Sequence, residues 1–151
     1  MKSLKDLIPD DRRRWLLSKL ERIMNRIEQD DLPMVISEVY LFGSFLKDEE
    51  VPNDIDILIL YDSNKTAEMY EHTDSSGKTR WMMWDLRTSP SRLRGCLKKN
   101  SERSIDLNIC PTLEAFQNDL EYEMDIWLSI WTPEDRDWKS RLFSHFLSLR
   151  E

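Results

Sequence analysis

A chain of 151 residues, 40% hydrophobic and 34% charged, is long enough to close one hydrophobic core and too short for two full domains. Its 22 basic and 29 acidic residues leave a net charge of −7, which argues against general, sequence-blind binding to DNA or RNA through a basic surface. Three glycines, two distant cysteines (Cys96 and Cys110) and two histidines (His72 and His145) exclude Gly-rich phosphate loops, a disulfide framework and a thiolate or histidine zinc site.

Any metal must therefore sit on carboxylates, and that donor set selects a hard cation such as Mg²⁺ or Mn²⁺. No apolar run approaches the roughly 20 residues needed to span a bilayer. The opening Met1-Lys2-Ser3-Leu4-Lys5-Asp6 lacks a signal-peptide core, so a cytoplasmic address without membrane association is expected.

From the N-terminus, Asp10 reads as the cap of an amphipathic helix. Trp15, Leu16, Leu20, Ile23, Met24 and Ile27 form its buried stripe, and Arg12, Arg13, Lys19, Arg22 and Arg26 face water. Asp30, Asp31 and Pro33 end it. Glu38 to Phe42 is a short strand stopped by Gly43-Ser44, and Phe45 to Asn53 a loop holding at most one helical turn. Asp54 to Tyr61 alternates acid and apolar and then turns wholly apolar, as in a strand buried on both faces. Asp74-Ser75-Ser76-Gly77 marks the turn of a β-hairpin within 63–88, and Ser89-Pro90 opens a short helix holding Leu93, Cys96 and Leu97. Ser104 to Cys110 alternates as another strand.

Two C-terminal helices are then predicted. Leu113, Phe116, Leu120, Met124, Trp127, Leu128 and Trp131 form the stripe of the first. Thr132-Pro133-Glu134-Asp135 caps the second, which buries Trp138, Leu142, Phe146 and Leu149. Together the elements predict one α/β (α+β) domain over 1–151, a small mixed sheet flanked by helices. Its core spans about 10–110, and its C-terminal helices about 112–149.

Three acids carry the chemistry. Asp54 and Asp56, two apart at the start of a strand, project from one face about 6 to 7 Å apart along the chain. Like charges that close repel unless a cation lies between them. Asp106 has the same apolar-flanked setting (Ile105-Asp106-Leu107), and if its strand neighbours the first, all three carboxylates converge on one or two metal ions. Gly43-Ser44 ends the preceding strand nine residues before Asp54, placing backbone N–H groups and a hydroxyl where an anion is favoured.

Phe42-Gly43-Ser44, Asp54-Ile55-Asp56-Ile57 and Ile105-Asp106-Leu107, in this order and spacing, resemble the signature of the nucleotidyltransferase superfamily typified by DNA polymerase beta. The resemblance implies that superfamily's type of sheet and an NTP substrate, with ATP as the first candidate. It implies that Asp54 and Asp56 bridge two cations while Asp106 completes the site of the acceptor hydroxyl. That hydroxyl, on a protein, RNA or small molecule, then attacks the α-phosphorus and pyrophosphate leaves. Gly43 and Ser44 would bind the nucleotide phosphates. The short chain also resembles the minimal nucleotidyltransferases of bacteria and archaea, many of which are paired with a HEPN-domain toxin. Hence an antitoxin-like partner that binds or nucleotidylates such a toxin, or a non-catalytic nucleotide-binding module, are the alternatives. Where antitoxin-type members carry an Arg- and Gly-rich stretch and a Ser before the first acid, this chain has Phe45-Leu46-Lys47-Asp48-Glu49-Glu50 and Asn53.

The remaining features have two readings each. Arg87, Arg92, Arg94, Lys98, Lys99 and Arg103 form a solvated helix face or contact triphosphate or polynucleotide. Trp81 and Trp84 are core or stack on a base, and Trp127 and Trp131 are core or an interface such as that of a homodimer. Cys96 and Cys110 read as small buried residues, and His72 and His145 as bystanders.

Overall fold

The computed structural model describes residues 3–29, 32, 34–62, 69–73, 75–83, 90–99, 101–119 and 126–150. Helices α1 (Leu4–Leu7) and α2 (Asp11–Glu28) lead into strand β1 (Ile36–Phe42), a 3-10 turn (Ser44–Leu46) and β2 (Ile55–Tyr61). The hairpin β3 (Met69–Thr73) and β4 (Thr79–Met83) follows, then α3 (Pro90–Leu97), β5 (Ile105–Cys110), α4 (Leu113–Asp119), β6 (Trp127–Trp131) and α5 (Trp138–Leu149). The expected mixed sheet flanked by helices is present, with four strands in the order β5-β2-β1-β6. Strands β2 and β5 run parallel, and the other two pairings are antiparallel. The predicted hairpin forms a separate two-stranded sheet. Among the described residues no helix is long and apolar enough to cross a membrane.

Strand alternation divides the sheet into two faces. Val39, Leu41, Ile55, Ile57, Ile59, Ile105, Leu107 and Ile109 point to one side and share a core with Leu16, Leu20, Ile23, Met24 and Ile27 of α2, Leu93 and Leu97 of α3, and Trp138, Leu142 and Phe146 of α5. Each such fully buried aliphatic side chain contributes about 1.5–3 kcal/mol from leaving water. On the other side Phe42, Leu58, Leu60 and Phe116 pack with Tyr40, Trp127, Leu113 and Cys110.

Helix α2 departs from its predicted face at two positions. Arg13, expected in water, is 2% exposed, while Trp15, expected inside, is 43% exposed. The helical period explains both. Arg13 lies three, four and seven residues before Leu16, Leu17 and Leu20, all of them buried, so it shares their stripe. Trp15 sits to one side of that stripe, with the Arg12 guanidinium and the Lys19 ammonium 4.5 and 4.8 Å from its ring centroid. The predicted Asp10 cap is present and accepts from the Arg13 N–H at 2.7 Å.

The C-terminal third departs further. Residues 127–131, predicted to continue a helical stripe from Leu113, form the edge strand β6 against β1. Trp127-Leu128-Ser129-Ile130-Trp131 is rich in aromatic and branched residues that fit a pleated surface, and pairing with β1 supplies it with ladder bonds. The helical stripe holds only as far as α4, and the sheet therefore draws on residues beyond 110. Thr132-Pro133-Glu134-Asp135 is a turn closed by Thr132 and Asp135, which exchange backbone hydrogen bonds of 3.0 and 3.1 Å. The helix cap is Asp137, whose carboxylate accepts from the Ser140 N–H at 3.2 Å. Leu149, expected in the core, is 36% exposed on the last turn. Trp131 is core, and its indole N–H donates to Glu28 at 2.7 Å. Asp30, Asp31, Pro33, Asp74, Trp84, Arg87, Ser89, Leu120 and Met124 lie outside the described residues.

Two basic residues, Arg94 in α3 and Lys98 just after it, meet backbone. Arg94 donates to the Leu107 carbonyl at 3.3 Å and Lys98 to the Ile105 carbonyl at 2.7 Å. Both carbonyls belong to the outer strand β5, so these side chains cover acceptors that an edge strand otherwise leaves open. Cys96 and Cys110 carry reduced thiols and are only partly buried, where burial was expected.

Candidate functional site

The three acids lie at one end of the second face. In the parallel pairing of β2 with β5, Asp56 stands opposite Asp106, and Ile55 opposite Ile105. Alternation then puts Asp54, Asp56 and Asp106 on the face away from the helix-covered core. One carboxylate oxygen from each of the three lies within 4.8 Å of the others, so the predicted convergence is met. Two anchors set the start of β5. The Ile55 N–H donates to the Ser104 carbonyl at 2.9 Å, and Glu102 ties the preceding turn to α2. Its carboxylate accepts from Arg22 at 2.7 and 2.9 Å, from Lys19 at 3.4 Å and from the Lys99 N–H at 2.8 Å. Burial raises the Glu102 pKa, but these donors outweigh it and hold the carboxyl down at about 2.

The acids are raised instead. Burial, a hydrogen bond with Asp106 and the charges of Asp54 and Asp106 push the Asp56 carboxyl up to about 8. Asp54 is raised by burial and by Asp106, against its own backbone N–H and Arg12. The source of the desolvation is legible in the register. Across the sheet Asp106, Asp56, Phe42 and Trp127 stand in one row. Phe42 is buried, and its ring lies 4.9 Å from that of Trp127 and 5.6 Å from that of Phe116. Asp56 thus has a carboxylate on one side and an aromatic wall on the other. A cluster of oxygen donors that repel one another and retain a proton into the neutral range is what a hard divalent cation stabilises.

Gly43 closes the other side. It adopts φ 80°, which favours glycine, and a Cβ placed on it would fall 2.3 Å from the Asp56 carboxylate. The loop backbone can approach the acid only because residue 43 has no side chain. Ser44 opens the 3-10 turn, and Gly43 provides no side-chain cap for it. Sequence reasoning thus placed Gly43, Ser44 and the three acids in one region, and the structure brings them together.

What it missed is the support beneath the loop. The guanidinium of Arg13 donates to the carbonyls of Ser44 at 2.9 Å, Phe45 at 3.1 Å, Lys47 at 2.5 Å and Glu50 at 2.6 Å, and it pairs with Asp10. From the opposite helix the His145 ring nitrogen meets the Leu46 carbonyl at 2.7 Å, and Arg150 reaches Asp48 at 2.8 Å. Arg12 donates to the carbonyl of Asn53, the residue before the first acid. The signal for Arg13 was its place on the apolar stripe three residues after an acid.

The chain belongs to DUF6932, a family of unknown function whose model matches residues 4–150. No curated protein matches it in sequence. Among solved structures, that of a candidate nucleotidyltransferase from Sulfolobus solfataricus is similar at 16% identity and a TM-score of 0.48, over 89% of this chain and 91% of that one.

Proposed function

We propose that this member of DUF6932 is a metal-dependent nucleotidyltransferase that moves a nucleoside monophosphate from an NTP to an acceptor hydroxyl. The observation that carries the reading is the register of β2 and β5, which sets Asp56 opposite Asp106 with Asp54 beside them, oxygens within 4.8 Å. Asp54, Asp56 and Asp106 would hold Mg²⁺ or Mn²⁺. Such a cation, when bound, neutralises phosphate charge and lowers the pKa of the acceptor hydroxyl.

The other roles belong to the chain itself. Asp106 is the exposed member of the three, so the acceptor approaches from its side. Gly43 lets the backbone close on the phosphates, and the Ser44 hydroxyl donates to them. In the transfer, the acceptor oxygen bonds to the α-phosphorus as the bond to pyrophosphate breaks, and the hydroxyl proton passes to solvent beside Asp106.

Titration calorimetry with Mn²⁺ and ATP tests the reading. Wild-type protein binds Mn·ATP. Asp56→Asn, with its fold intact by circular dichroism, loses that binding and lowers any transfer rate by at least about a hundredfold. Undiminished Mn·ATP binding by the variant sinks the assignment. Incubation with labelled ATP, CTP, GTP and UTP in cell extract then identifies the acceptor class by where the label appears.

A further inference from the structure

Among the described residues, Arg13 is the one charged side chain buried to 2% exposure. A buried ion pair is seldom the most stable filling for such a position, because an apolar side chain of similar volume avoids the desolvation cost of both charges. The Arg13 fork does, however, something an apolar side chain cannot. It holds the carbonyls of Ser44, Phe45, Lys47 and Glu50 at 2.5–3.1 Å, while Asp10 balances its charge.

Because a trans peptide is planar, pinning a carbonyl also fixes the N–H of the next residue, which lies in the same plane and points the opposite way. Holding Ser44 and Phe45 therefore sets the N–H directions of Phe45 and Leu46, and the second of these closes the turn on the Gly43 carbonyl at 3.2 Å. The same loop is pressed against Asp56 at Gly43. A lysine, with one ammonium, lacks the planar fork that spans these acceptors.

We propose that Arg13 is a positioning residue that holds the Gly43–Glu50 loop in its nucleotide-binding course; this rests on the nucleotidyltransferase reading. It touches neither the acids nor the nucleotide, and it acts through the loop backbone. Its removal therefore separates two quantities that a general loss of fold would move together, namely metal binding by the acids and nucleotide binding by the loop.

The test uses the full chain, with Arg13→Met as the apolar replacement and Arg13→Lys as the one that keeps the charge. Three measurements are made on each: Mn²⁺ affinity without nucleotide, Mn·ATP affinity, and amide hydrogen exchange. Expected for both variants are an Mn²⁺ affinity within twofold of wild type, an Mn·ATP affinity at least tenfold weaker, and faster exchange at the amides of residues 44–47 with no change at 57–60. Arg13→Lys carries the comparison if Arg13→Met does not fold. Mn·ATP affinity within twofold of wild type in a folded variant overturns the positioning role alone. An equal loss of Mn²⁺ and Mn·ATP affinity overturns it too, since the effect then extends beyond the loop. Wild-type protein that binds Mn²⁺ but takes up no ATP overturns the nucleotidyltransferase reading, and the role of Arg13 in nucleotide binding with it.

Discussion

Along β2, Ile55, Ile57 and Ile59 turn toward the helices and are fully buried, whereas Asp56, Leu58 and Leu60 turn the other way. The first set meets apolar side chains from α2, α3 and α5 along its whole length. The second packs with Phe42, Phe116 and Trp127, and at Asp56 the row runs from Phe42 and Trp127 on one side to the carboxylate of Asp106 on the other. One strand thus serves two purposes by simple alternation. Its helix-side residues secure the fold, and its other residues carry charge only at the end where β5 sets a carboxylate opposite. The comparison predicts that substitutions on the two faces separate stability from binding.

The largest effect on stability belongs to the helix side. Ile57→Ala removes a fully buried branched side chain and is expected to cost about 2–5 kcal/mol in urea unfolding. Mn²⁺ affinity of the folded fraction should stay as in wild type, and a parallel loss of affinity would break the division between faces.

The acid side has the opposite sign. A carboxyl raised in the folded state to about 8 from 3.8 keeps its proton while the unfolded chain has lost it. The folded state then binds more protons, so stability without metal falls as pH rises from about 4 to 8. The expected fall is about 2 kcal/mol, well below full conversion of the shift, because Asp56 is only partly buried and solvent screens it. Thermal unfolding across this range should show the slope in wild type and a flatter one in Asp56→Asn. That variant is thereby expected to be more stable at neutral pH while losing the proposed metal binding. Metal binding should weaken below pH 8 as the proton competes for the site.

Glu102 gives the smallest effect and sharpens the comparison from outside both faces. Its carboxyl is held at about 2, so the stability it lends is present above its unfolded pKa of 4.5 and is lost as pH falls toward 2. Glu102→Gln should cost about 1 kcal/mol at pH 7 in the same unfolding assay.

How much of this was legible follows from the range of each signal. Asp54-Ile55-Asp56 reports its own strand and face, so the acid pair could be read directly. Its meeting with Asp106 depended on β2 pairing with β5 across some fifty residues of chain, and only the fold supplies that adjacency. Trp127 to Trp131 was misassigned because large apolar residues at positions 113, 116, 120, 124, 127, 128 and 131 keep a helical rhythm across two different elements. The deciding partner, β1, is remote in sequence. Arg13 was misjudged for another reason. Residue type says water and helical phase says interior, and phase prevails where all three guanidinium nitrogens find acceptors. Among the described residues no buried side-chain nitrogen or oxygen lacks a hydrogen-bond partner.

The caps that Arg94 and Lys98 place on β5 also bear on how another chain can engage this edge. A polypeptide cannot extend the sheet as a fifth ribbon beside Asp106 without first displacing two cations from the Leu107 and Ile105 carbonyls. An extended segment therefore reaches the acids from above the plane of the strands and not by lateral annealing to β5.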